Sequence, residues 1–387
     1  MKFTYRLKVL FATIILLIAL FVFLNLQLNN ELILRSFHVV TRFEEGITGG
    51  NSGSENQLGS SLMEENETTK SNIGDVPCDE ECGWLQEQQR RRNSVENACA
   101  YYNPESITKT VLRHILVSDT HKVLYCYIPK VACSNWKRII LSLNGKNITK
   151  AHTTFIPSLN TFSTEEVIKR LRDYSKLIIV RNPHERLLSA YMNKLAPTSN
   201  ASDAKVFQHN FGPRIKNTNI KYLRKKFNLN YPGSKVEKQN LTKDERTNIN
   251  FQEFVRYVGN TDNKFNGAEE HWSEMYRLCS PCYIQYNFIG KLETINEDSK
   301  FILSYIGAKN LSSIAQAKPR HTTNSTSGDK VQKAYKQVTE EDVLQFEKRF
   351  EKDMVLFGYQ RPTRIAGFKS DDMDRKDALR QLSLDDV

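Results

Sequence analysis

The sequence predicts an α/β fold: three layers, a parallel sheet flanked by helices, preceded by a transmembrane helix and a stem. Three observations carry this reading. Strand-like and helix-like segments alternate through the dense part of the chain, the pattern of a parallel sheet covered by helices. The run KLIIVR (176–181) is continuously apolar at its centre, as in a strand buried on both faces. One long apolar stretch stands near the N-terminus and is followed by a polar, aperiodic segment.

The elements follow in chain order. Residues 1–8 carry Lys2, Arg6 and Lys8 and read as a cytosolic tail. Residues 9–28, VLFATIILLIALFVFLNLQL, are long enough for a helix spanning a bilayer, which takes about 20 residues. Positive charge before the span and none just after it place the N-terminus in the cytosol. A cleaved signal peptide would have a shorter apolar region and a small-residue cleavage site, which LNLQLNNELIL lacks. The span is therefore a signal anchor, short and rich in Phe, Leu and Ile, suited to a thin early-secretory or Golgi membrane. Residues 29–96 read as a luminal stem, with QEQQRRR (86–92) a short helix leading into the folded part. The folded domain is expected over 97–367 and a charged, mobile tail over 368–387.

Within the domain, Val123–Ile128 is a strand. Asn135–Asn144 is a helix, with Trp136, Ile139, Ile140 and Leu143 at i, i+3, i+4 and i+7, Ser134 or Asn135 as cap and Gly145 as stop. A second helix covers Glu165–Tyr174. Residues 176–181 form the buried strand, and Pro183 opens the helix HERLLSAYMNKL at a position where its missing N–H costs nothing. Near the end, Thr339 and Asp342 form a capping pair for a helix whose apolar stripe is Val343, Phe346, Phe350, Met354 and Phe357.

The 387 residues are 39% apolar and carry a net charge of +11. A basic surplus points to acidic partners: nucleic acid, an anionic membrane or an anionic glycan. A luminal domain removes nucleic acid and leaves the glycan, with the bilayer engaged through the N-terminal helix. Sequons at Asn66, Asn147, Asn200, Asn240, Asn310 and Asn324 suit that compartment and are expected glycosylation sites. Seven cysteines in an oxidising lumen suggest disulfides with one thiol left over. Cys279 and Cys282 have the spacing of half a zinc site as the alternative.

Two loops carry the chemistry. In YIPKVACSNWKR (127–138) a strand gives way to a helix, whose first N–H groups and dipole favour an anion. Lys130 supplies a point charge and Ser134 a hydroxyl donor. A nucleotide-binding P-loop would need GxxxxGK[ST]; the glycines are missing and Lys130 precedes the helix, so an anion site is expected and an NTPase is not. In IIVRNPHERLLSAYMNK (178–194), Arg181 sits at the carboxyl end of a strand, where open α/β sheets bind ligands. Leu187, Leu188, Tyr191 and Leu195 share an apolar face; Glu185, Arg186, Ser189 and Asn193 lie opposite. Arg181 and Ser189 suit a terminal phosphate. A solvated polar face accounts for Arg186 and Asn193.

Together these stretches resemble the Golgi carbohydrate sulfotransferases, in the branch of the chondroitin and dermatan 4-O-sulfotransferases. PKVACSNWKR is similar to the family's 5′-phosphosulfate loop PKVxCSNWKR, and RNPHERLLSAY to its 3′-phosphate loop R[DE]PFERLxSAY. HWSEMYRLCSPCYIQYNFIGKLET (271–294) and HTTN (321–324) with FEKRFEKDMVLFGY (346–359) resemble two further blocks, in the family's order, over roughly residues 110–360. Asn182 and His184 depart from the usual acidic residue and phenylalanine.

The resemblance implies a P-loop-like sulfotransferase fold in a single-pass type II Golgi membrane protein. It also implies 3′-phosphoadenylyl sulfate as co-substrate, with no metal. Carried over by position, Pro129, Lys130, Val131, Ala132, Cys133, Ser134 and Asn135 cradle the 5′-phosphosulfate. Arg181, Asn182, Pro183, His184, Glu185, Arg186, Leu187, Leu188 and Ser189 form the 3′-phosphate loop, with Arg181 and Ser189 in contact. Lys130 is expected to stabilise the leaving group and His152 to act as base, while His184 packs and His271 and His321 have no assigned chemistry. The acceptor is expected to be a glycan, first of all O-4 of N-acetylgalactosamine in chondroitin or dermatan, chosen by the basic, aromatic stretch 220–243. A Golgi glycosyltransferase and a glycan-binding membrane protein without catalysis are the alternatives. The first would want a metal-binding Asp-x-Asp, for which only Asp372-Met373-Asp374 offers the spacing.

Overall fold

Residues 119–122 separate two strands of the computed structural model, and so short a link can only fold the chain back on itself. The strands are β1 (Ile115–Ser118) and β2 (Val123–Cys126), which pair antiparallel, Ser118 opposite Val123. β2 then pairs parallel with β3 (Ser175–Val180), and β3 parallel with β4 (Phe288–Lys291), in the order β1-β2-β3-β4. The expected all-parallel sheet is thus corrected at one edge, while its three remaining strands are parallel. The structure describes residues 79–102, 107–149, 154–229, 247–260, 269–316 and 328–381, all within one compact unit, Pro77–Val387.

The helices of nine or more residues, in chain order, are α1 (Glu80–Cys99), α2 (Cys133–Leu143), α3 (Thr164–Asp173), α4 (Pro183–Lys194), α5 (Ala204–Lys226), α6 (Phe251–Gly259), α7 (Ile295–Tyr305), α8 (Glu340–Phe357) and α9 (Asp371–Gln381). α2 buries Trp136, Ile139, Ile140 and Leu143, the predicted stripe, and Gly145 follows its end with φ 64°. Neither Ser134 nor Asn135 caps it: the helix starts at Cys133, and Ala132 stands at the cap without a side-chain bond. α3 begins with a reciprocal capping box between Ser163 and Glu166. α8 starts as predicted, Thr339 Oγ1 accepting from the Asp342 N–H, and buries Val343, Phe346, Phe350 and Phe357.

Leu177, Ile178, Ile179 and Val180 of β3 are buried in a core formed on the sheet with α1, α2 and α7. A second cluster joins Leu187 and Leu188 of α4 to α6 and α8. Two disulfides, Cys126–Cys279 and Cys99–Cys282, tie β2 and α1 to the segment before β4. They use both cysteines of the half zinc site, which is thereby corrected. Among the described residues Cys133 is the free cysteine.

Both ends of the domain lie further out than expected. The end of the expected stem is α1, which is longer than the short helix read at 86–92 and packs on β4. Gln88 exchanges hydrogen bonds with Ile289, its Oε1 accepting the N–H at 2.9 Å and its Nε2 donating to the carbonyl at 3.3 Å. Arg91 donates to the same carbonyl at 2.8 Å and to Asp298 at 2.9 Å. The outward backbone N–H and carbonyl of Ile289 on this edge strand are thereby satisfied. At the other end the charged tail forms α9, with Asp374 buried and paired to Arg256 at 2.5 Å and Lys369 at 3.2 Å. The expected span 9–28 lies outside the described residues; among those described, no helix is long and apolar enough to cross a membrane. Asn147, Asn200 and Asn310 are exposed, and Asn66, Asn240 and Asn324 lie outside the described residues.

Candidate active site

β2 and β3 run parallel, so the loops leaving their carboxyl ends emerge side by side, as expected at the ligand-binding edge of such a sheet. The first loop has no glycine, yet Lys130 (φ 72°) and Ala132 (φ 63°) are left-handed. Such conformations cost on the order of 1–3 kcal/mol each and persist where the surroundings impose them. Here Ala132 passes directly into the right-handed first turn of α2. That succession turns consecutive backbone N–H groups toward one side, the geometry of an anion-binding nest. Val131 is buried beneath the loop, and Asn135 is fastened through its Nδ2 to the Ala315 carbonyl at 3.1 Å.

The second loop is built to hold the first. Arg181, 3% exposed, donates through Nη1 to the Lys130 carbonyl at 3.3 Å and through Nη2 to Glu185 at 3.4 Å. Glu185 is also paired with Arg364. Pro183 is the first helical residue of α4, as predicted. Asn182 caps α4, accepting the His184 N–H at 3.0 Å, while its Nδ2 donates to the Gln360 carbonyl at 2.9 Å. A carboxylate at this position would cap equally well but could not donate to Gln360. His184 is buried, as a packing role requires: its ring meets Phe346 and Tyr335 edge-on, and Nε2 lies 2.8 Å from Glu347. Ser189 is buried on the same helix.

Arg186 does not lie on a solvated face. It is 2% exposed and donates through Nε to the Pro129 carbonyl at 3.0 Å, Nη1 to Ser273 at 2.6 Å and Nη2 to Glu270 at 2.8 Å. Three carbonyls need a planar donor fork there, and arginine alone supplies one. Its sequence neighbours gave no sign of this, because the partners are 57, 84 and 87 residues away.

Burial shapes the electrostatics. It pushes Lys130 down to about 8, helped by Lys194 and Arg181 and opposed by Cys133. Burial also takes Arg181 and Arg186 down to about 10, against the pull of Glu293 on the first and of Asp353 and Glu274 on the second. Burial and mutual repulsion of Lys130, Arg181 and Arg186 both disfavour their charged forms, and a nearby anion would offset this. Lys194, ion-paired with Asp203 and 4.6 Å from the centre of the Phe207 ring, joins this group and was not anticipated from sequence. His152 lies outside the described residues, as do His321 and most of the 220–243 stretch, whose first residues close α5. Asp374 is committed to its buried pairs, so the Asp-x-Asp spacing has one member locked in the fold. Among the described residues no group of three or more His, Cys, Asp and Glu is placed to hold a metal.

Comparison with known proteins agrees with this geometry. The sulfotransferase family matches residues 113–360. The chain is 34% identical to carbohydrate sulfotransferase 10 of Xenopus laevis, over 67% of this chain and 70% of that one. It is 32% identical to carbohydrate sulfotransferase 11 of Mus musculus, over 71% and 76%, and 35% identical to carbohydrate sulfotransferase 14 of Danio rerio, over 57% and 58%. No solved structure matches.

Proposed function

The chain belongs to the sulfotransferase family, and on that premise we propose that it moves the sulfuryl group of 3′-phosphoadenylyl sulfate onto a glycan hydroxyl in the Golgi lumen. The acceptor we favour is O-4 of N-acetylgalactosamine in chondroitin or dermatan. One observation supports the donor site: Arg181 of the second loop is bonded to the Lys130 carbonyl of the first, so the two cationic strand–helix turns lie side by side. In this reading the loop from Pro129 to Asn135 cradles the 5′-phosphosulfate. Arg181 and Ser189 take the 3′-phosphate, and Arg186, beneath them, holds the first loop in shape.

Sulfuryl transfer needs the acceptor oxygen in line with the departing phosphate oxygen. Lys130 faces the charge that builds on the leaving side, where a preorganised cation in a dry site counts most. Its lowered proton affinity leaves it charged at neutral pH and able to strengthen its contact as negative charge grows.

The test uses the full chain, purified in detergent, with radiolabelled 3′-phosphoadenylyl sulfate and a panel of desulfated chondroitin, dermatan and glucuronate-terminated oligosaccharides. Transfer to one of them, lost in Lys130→Ala and Arg181→Ala, is expected. Wild-type protein that is folded but neither transfers sulfate nor binds 3′-phosphoadenosine 5′-phosphate would end this reading. Preference for a nucleotide sugar would favour a glycosyltransferase instead.

A further inference from the structure

We propose that His271, held by Glu269, is the base that takes the proton from the acceptor hydroxyl; the inference rests on the sulfotransferase reading above. The position comes from Arg186. One guanidinium binds the carbonyl of Pro129, immediately before Lys130, and the carbonyls of Glu270 and Ser273, which bracket His271. The Tyr127 hydroxyl adds a second tie by donating to Glu270 at 3.2 Å. The 270–273 segment is therefore anchored against the loop that carries the leaving-group lysine.

The ring is oriented as a base requires. Nδ1 lies 2.5 Å from Glu269 Oε1, and the ring meets Phe207 edge-on with centroids 5.2 Å apart. A carboxylate at Nδ1 keeps that nitrogen protonated and leaves the lone pair on Nε2, the arrangement of an oriented general base. Glu269 and Phe207 also line a cleft of about 430 Å³, together with Phe211 and Arg214. Aromatic faces suit the apolar faces of sugar rings, and a guanidinium suits a uronate carboxylate. His271 is not a lining residue, but it touches two that are, Glu269 and Phe207, so an acceptor in the cleft would lie next to it.

Lys194 connects the two halves of the reaction. It lies above Phe207 and interacts electrostatically with both Lys130 and His271. The charged groups facing His271 are Glu269 and Glu270 from its own segment, Lys194 from α4 and Asp203 before α5. Burial lowers the proton affinity of His271 below the ordinary imidazole value, Lys194 adds to this, and the two glutamates oppose it. The ring is then neutral, and able to accept a proton, at neutral pH.

In the step, His271 Nε2 takes the hydroxyl proton as the acceptor oxygen lone pair forms the new O–S bond. The bond from sulfur to the 5′-phosphate oxygen breaks, its electron pair staying on the departing 3′-phosphoadenosine 5′-phosphate beside Lys130. His271 then returns its proton to solvent.

The test compares full-length wild type with His271→Gln, Glu269→Gln and His152→Gln, using the acceptor of the panel that wild type sulfates fastest. Loss of a general base costs about 10²–10⁴-fold in rate. For His271→Gln the expected result is a kcat at least 100-fold lower. Its Kd for 3′-phosphoadenosine 5′-phosphate stays within twofold, and the acid limb of the pH–rate profile disappears. Glu269→Gln keeps the limb but moves it to lower pH, with a fall of about tenfold in kcat. Retention of more than a tenth of the rate in His271→Gln, an unchanged acid limb there, or loss of the limb in His152→Gln instead would overturn the assignment. Wild type that binds the nucleotide but sulfates no probe would also overturn it, leaving the donor site standing. Wild type that binds no nucleotide would remove the sulfotransferase reading itself.

Discussion

Arg186 Nε lies 3.0 Å from the Pro129 carbonyl, so a side chain of the second loop fixes the backbone from which the first loop departs. The same guanidinium reaches Glu270 and Ser273, which makes it the joint of three segments. Arg186→Lys keeps the charge but cannot reach three carbonyls. Each buried acceptor left unpaired costs about 1–3 kcal/mol, so the expected loss of stability is about 3 kcal/mol or more. Thermal unfolding checks the stability, and calorimetry with 3′-phosphoadenosine 5′-phosphate checks the site, where affinity should fall at least tenfold. Wild-type affinity in a folded Arg186→Lys protein would show that the loop keeps its shape unaided.

If Lys130 binds the donor as proposed, donor binding should depend on pH. Burial lowers its value to about 8, so the unliganded protein loses this positive charge as pH rises through that point. Affinity for 3′-phosphoadenosine 5′-phosphate should therefore weaken between pH 7 and 9.5. Lys130→Arg, charged throughout, should bind with a flatter dependence. Parallel pH curves for the two proteins would contradict the assignment of Lys130 as the charge that matters.

The domain begins before residue 97. Asp298 is fully buried and accepts hydrogen bonds from Arg91 at 2.9 Å, Trp84 at 3.0 Å and Thr294 at 2.7 Å. Removing one partner of a buried ion pair costs about 3–5 kcal/mol. Arg91→Ala should lose about that much, and a fragment starting at 97 should be secreted poorly or not at all beside one starting at 77. Equal yield and melting temperature for the two fragments would show that α1 is dispensable.

Glu347 gives the fold an acid-sensitive contact. Burial would raise its carboxyl, but hydrogen bonds and charge from Arg361 and His184 outweigh this and hold it at about 2. A folded value below the unfolded one means the stabilisation is present above the ordinary glutamate range and fades as pH falls from about 4.5 to 2. It amounts to about 2 kcal/mol at neutral pH, allowing for partial exposure. Glu347→Gln should lose stability at pH 7 and differ less from wild type at pH 3, measured by urea unfolding at both values. A constant difference at both pH values would rule out the ionised carboxylate as its source.

The parts of this protein legible in its sequence are those set by neighbours a few residues apart. The stripe of α2, the Thr339 cap, the buried strand around Ile178 and Ile179, and Pro183 at the start of α4 all depend on helical or extended periodicity. Lys130 and Arg181 were legible as the cationic residues of two strand–helix turns because each stands in a contiguous strand–loop–helix stretch; that the turns touch, Arg181 on the Lys130 carbonyl, was decided by the fold. The tertiary structure decided what depends on distant partners. Arg186 looked like surface and is buried, because three carbonyls from two other segments close over it. α1 and α9 looked like stem and tail because their charges are uncompensated in one dimension. Asp298 and Arg256 supply the missing partners only after folding. Glu269 orients His271 within one short stretch, yet only Arg186 brings that stretch against the loop before Lys130. Sequence spacing records periodicity along the chain, whereas the pairing of buried charges and carbonyls is set by which surfaces meet.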